Sequence, residues 1–242
     1  MERILDINLY VHIGAGFATL IFFWIQIFSR KGSPLHVFSG RLFMLAGFMV
    51  AGAAATSVIL RGHGAYQQGI TIFSDPDGFQ AAAVLFYISV MVSVFLWAGA
   101  VLARYHHRTD DLPLPGLLLR AVIAIAATAA FAAYVFILKP ALWPALAGAF
   151  ALGLNACWDQ VKLLFRRGAD PKRRLAEHVT NMFGAGLAFH VAFILLGSER
   201  FIDIWQWGAT PPIVLVGVVI LIGIVSEKRI RRSILRGPAA SQ

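Results

Sequence analysis

Four of the seven histidines, His12, His36, His178 and His190, lie in or at the edge of long apolar runs. A neutral imidazole at membrane depth can ligate haem iron or another metal, relay protons, or bond to a neighbouring helix. His12 falls one turn into the first apolar run. His190 follows His178 by twelve residues, about 18 Å along a helix, which carries it to the outer half of the membrane, where His12 also lies. Gly186, one turn before His190, would leave room for a planar ligand. This spacing predicts a histidine site for haem b or a metal, used for electron transfer, with His36 and His178 as alternative ligands. Twelve residues also turn a helix by about 120°, so the pair His178 and His190 does not fit two stacked haems.

Two further polar groups need explaining. Asn8, His12, Thr19 and Gln26 are spaced 4, 7 and 7 residues apart and fall within roughly 40° on a helix. That single stripe must turn inward, either to bond to other helices or to line a cavity. On the opposite side of the membrane, Ser33 and Pro34 read as the N-cap and first residue of a helix, which places His36 in its first turn with Arg41 beyond. Asp159 lies near the end of a later run, and Glu177 with His178 opens the next. Convergence of His36, Arg41, Asp159, Glu177 and His178 would make a proton relay, or orient an imidazole or an anion. The plainer reading is an interfacial ion-pair network.

No nucleophile elbow, phosphate-cradling loop, zinc-protease helix or redox cysteine pair occurs. No catalytic residue is assigned, and the chain does not read as an enzyme. His63 and the pair His106-His107 fall in expected loops. Asp75-Pro76-Asp77-Gly78 is a turn signal lacking the further ligands of a calcium loop. Cys157 is the one cysteine, so no internal disulfide forms.

The elements that must position these groups are membrane helices. Of 242 residues, 59% are hydrophobic and 14% charged, with a mean hydropathy of +0.73. A water-facing domain needs about 25% charged residues. Seven runs approach the roughly 20 residues that cross a hydrocarbon core: 9–28, 38–60, 81–103, 117–138, 141–165, 175–197 and 210–225. They lack the alternation of barrel strands, so each must satisfy its own backbone as a helix. The last is shortest, and Trp205 and Trp207 before it are natural interface anchors. The expected fold is an all-α polytopic transmembrane bundle of about seven helices, forming one domain over 1–242. Residues 1–8 hold two acids and one arginine, unlike a basic secretory leader, so the first run reads as a retained helix.

Basic residues set the orientation. With the N-terminus outside, the inside segments hold Arg30, Lys31 and Arg41, then Arg104, Arg108 and Arg120. Next come Lys162, Arg166, Arg167, Lys172, Arg173 and Arg174, and finally Lys228, Arg229, Arg231, Arg232 and Arg236. Only Arg3, Arg61, Lys139 and Arg200 of the 21 fall outside. The alternation keeps phase at every loop and predicts N-terminus out, C-terminus in the cytoplasm. The net charge of +9 is therefore a topology signal rather than a nucleic-acid footprint.

Arg30-Lys31-Gly32-Ser33-Pro34 before His36 has an echo in Arg166-Arg167-Gly168 and Asp170-Pro171 before His178. This fits a three-plus-one-plus-three helix arrangement, as some transporters have, or two ordinary basic turns. The segments His12-Ile13-Gly14-Ala15-Gly16, Arg30 to His36, and Gly40-Arg41-Leu42-Phe43 resemble a bacterial family of predicted multipass membrane proteins of unknown function. That family has a His–Gly first helix and a Lys-Gly-x-x-His…Gly-Arg entry to the second. Trp158-Asp159 and the stretch from His178 to Met182 look like its C-terminal half. Val37 stands where the family carries arginine, and His190 lies outside its pattern. The resemblance implies a multipass protein of the bacterial inner membrane and no particular activity. Three functions follow from the residues: a haem or metal binder, a small-solute or proton-coupled transporter, and a non-catalytic partner in assembly of a membrane complex. The bilayer is the expected partner, with a membrane protein or a second copy beside it.

Overall fold

The computed structural model describes residues 2–105, 112–165, 170–198 and 210–236. His106, His107, Arg108, Arg166, Arg167, Gly168, Arg200, Trp205 and Trp207 lie outside them. The described residues form seven helices and no strand. They are α1 (Glu2–Phe28), α2 (Pro34–Gln67), α3 (Gln80–Tyr105), α4 (Leu114–Ala133), α5 (Trp143–Phe165), α6 (Pro171–Ala192) and α7 (Thr210–Arg236). The wider π turns Tyr134–Leu138 and Phe193–Gly197 extend α4 and α6. Five segments, Arg3–Phe28, Pro34–Gln67, Gln80–Tyr105, Leu114–Leu138 and Pro171–Gly197, are long and apolar enough to cross a bilayer. Large side chains such as Ile21, Leu45, Ile59, Val122 and Ile137 are exposed on them, as lipid-facing surfaces require. The chain is a multipass membrane protein.

The helices outrun the apolar runs that reveal them. α1 begins at Glu2 rather than near residue 9, and α7 continues to Arg236 rather than ending near 225. α2 runs to Gln67 rather than to 60, so His63 is helical and pairs with Gln67 one turn on, at 3.0 Å. Hydropathy marks where lipid begins, whereas a helix ends where its backbone is capped. For α2 the cap is Gly69, at φ +76°. Ile70 N donates to Ala65 O at 3.0 Å and Gly69 N to Tyr66 O at 2.9 Å, the paired bonds of a glycine-stopped helix.

The expected caps form at the entries to α2 and α6. Ser33 Oγ accepts from His36 N at 3.2 Å, with Pro34 first in the helix. Asp170 Oδ1 accepts from Arg173 N at 2.9 Å, with Pro171 following. Lys31 Nζ donates to Gln26 O at 2.6 Å and closes the end of α1.

Contacts gather the chain into two compact units, and neither is a helix triplet. The first comprises Met1–Ala15, Gly47–Val94 and Asp111–Gly168; the second comprises Gly16–Ala46, Phe95–Asp110 and Ala169–Gln242. In the first, α4 packs on α5. Its core holds a buried polar chain: Tyr87 Oη and Cys157 Sγ each lie 3.1 Å from Thr128 Oγ1. Tyr87 also stacks on Phe131 at 4.3 Å, with its hydroxyl end against Gly153. Asp75 Oδ1 accepts from Gly78 N at 2.9 Å, making the expected turn. Beyond that turn, Asp77 Oδ1 accepts from Ala141 N at 2.6 Å and Gln80 Oε1 from Leu142 N at 2.9 Å, so both serve the backbone ahead of α5. In the second unit, α6 packs on α7, with Leu187 against Gly223 and Met182 against Gly99.

Candidate functional site

Within the second unit, His190 is held at both ring nitrogens. Its Nδ1 lies 2.7 Å from Gly186 O, one turn back on α6. A carbonyl only accepts, so Nδ1 carries the proton and Nε2 the lone pair. That lone pair accepts from Trp24 Nε1 of α1 at 3.0 Å. The Phe23 ring lies 5.1 Å from the imidazole, centre to centre, and touches Phe183 and Phe43 at 5.6 and 6.0 Å. Phe23 also occupies the notch left by Gly186. The space beside Gly186 thus holds an aromatic side chain of α1 instead of a planar ligand, and the ligating electron pair of His190 is engaged.

His178, expected at the opening of α6, stands two turns inside it. Its Nδ1 lies 2.8 Å from Gly99 O of α3. Nδ1 therefore donates to that carbonyl. His178 faces α3 and His190 faces α1, as the 120° between them requires.

Glu177, beside His178, looks toward α7 instead. Its Oε1 lies 3.3 Å from Arg231 Nη2, and Glu227 Oε1 lies 3.8 Å from Arg231 Nη1. Thr180 Oγ1 donates to Glu227 Oε1 at 2.6 Å. Two carboxylates thus share one guanidinium across the α6–α7 contact. Their side chains are 14% exposed against 37% for Arg231. The exposed arginine rim weakens this network, while the mostly buried acids keep it from being a mere surface pair.

The remaining candidates divide by neighbour. In the first unit, Asn8 Nδ2 donates to Ala53 O at 2.6 Å and to Ser57 Oγ at 2.8 Å. His12 Nδ1 lies 3.2 Å from Val50 O, again as donor to a carbonyl of α2. Ala51, Ala53 and Ala54 are buried there, and their small side chains let α1 approach that closely. Asp159 pairs with Lys162 of its own helix at 2.6 Å. In the second unit, Thr19 is buried and donates to Gly16 O at 2.6 Å. Gln26 donates to Phe22 O at 3.2 Å and lies against Gly40. His36 Nδ1 meets Ser29 Oγ at 3.2 Å within the α1–α2 turn. Arg41 is exposed on α2, without a hydrogen-bond or ion-pair partner among the described residues. Among the described residues, no hydrogen bond joins His36, Arg41 and Glu177 to one another: His36 meets Ser29, Glu177 meets Arg231, and Arg41 is exposed.

No protein-family model, curated protein or solved structure matches the chain. Its chemistry rests on its own geometry. Among the described residues, no three His, Cys, Asp or Glu side chains are grouped to hold a metal ion. A two-histidine haem needs no such group.

Sequence reasoning missed Trp24, Thr180, Glu227 and Arg231. The spacing of Glu227 and Arg231, four apart on a helix, was a usable signal. It was hidden because hydropathy ended the last helix near 225. Trp24 on an apolar helix carries no such mark.

Proposed function

We propose that this is a protein of the bacterial inner membrane, N-terminus out and C-terminus in the cytoplasm, that binds haem b or a metal through histidine. His178 is the leading ligand and His12 the second candidate. One observation carries the reading: both rings give Nδ1–H to a backbone carbonyl of a neighbouring helix. Ligating imidazoles are held this way, with the tautomer fixed and Nε2 as the donor atom. His190 does not fit the role, because its Nε2 serves Trp24 and its notch holds Phe23. Bound haem would supply one-electron chemistry. The protein's own part is to fix each ring's orientation.

The test is an absorption spectrum and metal analysis of protein purified from haem-replete cells. A Soret band, or a metal bound in stoichiometric amount, is expected. Folded protein that is colourless and metal-free would overturn the reading. Orientation is supported by the phase of the basic residues, and a C-terminal reporter active only in the cytoplasm is the expected result.

The second reading is small-solute transport. It rests on the paired ionisable groups at the α6–α7 contact, the Glu177–Arg231–Glu227 network. Flux into proteoliposomes that is lost in Arg231→Gln, without a Soret band, would select it.

A further inference from the structure

Beyond its apolar first half, α7 continues as a helix through Lys228 to Arg236. In that first half Val214, Leu215, Val218, Leu221, Ile222 and Val225 are exposed, an apolar surface. In the continuation Lys228, Arg229, Arg232 and Arg236 are exposed. At about 100° per residue they fall within an arc of roughly 100°. The opposite arc is the packed one: Glu227, Ile230, Arg231 and Ile234 are half-buried there, and Glu227 and Arg231 are committed to α6. None of the four exposed cations has a hydrogen-bond or ion-pair partner among the described residues. A helix that packs on one side and presents four unpaired cations on the other has its binding side defined.

We propose that this cationic face docks on the anionic lipid headgroups of the membrane that the protein spans. Two features select that occupant. The charges are of one sign and set beside exposed apolar residues on the same unbroken helix. The span from Lys228 to Arg236 is about 12 Å, enough to reach across the headgroup layer of roughly 5–8 Å that flanks the hydrocarbon core. Basic clusters immediately beyond a membrane helix attract anionic lipid through each Lys or Arg near the surface. Topology alone would require the basic residues without requiring that they share one face. The inference is independent of the histidine reading, since it uses no residue of that site.

The test uses the full chain in nanodiscs of equimolar phosphatidylglycerol and phosphatidylcholine. Lipids retained on release into neutral detergent are counted by native mass spectrometry. Several-fold enrichment of phosphatidylglycerol is expected for the wild type. It should fall at least threefold in K228Q/R229Q/R232Q/R236Q and persist in the charge-conserving K228R/R229K/R232K/R236K. If the four-site glutamine variant does not fold, R232Q/R236Q should show an intermediate loss. Unchanged enrichment in a folded glutamine variant would overturn the proposal. So would equal retention of soluble glycerol phosphate, which would mark a small-anion site instead of a lipid surface.

Discussion

Adding one methyl group at Gly186 tests the aromatic packing that displaces a ligand from His190. A Cβ there would fall on the Phe23 ring. Phe23 is only 5% exposed and is enclosed by Trp24, Phe43, Phe183 and His190, so the ring has nowhere to swing. Overpacking of this kind costs about 1–3 kcal/mol. Helix propensity works the other way, because glycine to alanine inside a helix gains about 0.8–1 kcal/mol. The net for G186A is a loss of about 1 kcal/mol. Gly14 is the control, since a Cβ at that position of α1 meets nothing within 4 Å. G14A should therefore be neutral or more stable by up to about 1 kcal/mol. The assay is reversible unfolding in mixed micelles, read by circular dichroism. The two substitutions should differ in sign. If G186A stabilises as G14A does, the notch is not filled by Phe23, and room for a planar ligand beside His190 is restored.

Two other predictions use the same assay. T128V removes the oxygen shared by Tyr87 and Cys157 and should cost about 1 kcal/mol, the scale of hydrogen bonds between membrane helices; no measurable loss would show that the buried chain contributes nothing. R231Q leaves Glu177 and Glu227 facing each other without their cation and should cost about 2 kcal/mol. E177Q leaves a balanced Glu227–Arg231 pair and should cost under about 1 kcal/mol. The double variant E177Q/R231Q should lose less than the two single losses combined. Additive losses would show that the three groups do not act as one network.

The helices were legible in the sequence because lipid demands long apolar runs, and the structure has a helix at each of the seven. Their ends were less so. Gly69 stops α2 by adopting a left-handed backbone, and nothing in a hydropathy profile distinguishes it from the helical Gly62 and Gly64. The Ser33 and Asp170 caps were readable, because an N-cap followed by proline is a local signal. The inward stripe of α1 was readable in part: Asn8 and His12 bond to α2, whereas Thr19 and Gln26 return to their own helix. Helical spacing gives a direction but not which acceptor lies there. The histidine candidates were visible as residues, yet their roles were not. His190 and His178 look alike in sequence; in the structure His190 bonds to Trp24 of α1 and to its own helix, whereas His178 bonds to Gly99 of α3, and the Trp24 contact spans 166 positions.

The histidine account is tested most directly by measuring haem or metal bound per folded protein in H178Q and H190Q, prepared alongside the wild type. The account predicts that H178Q loses the bound group, while H190Q keeps it and is merely less stable. Retention by H178Q, or loss confined to H190Q, would contradict it.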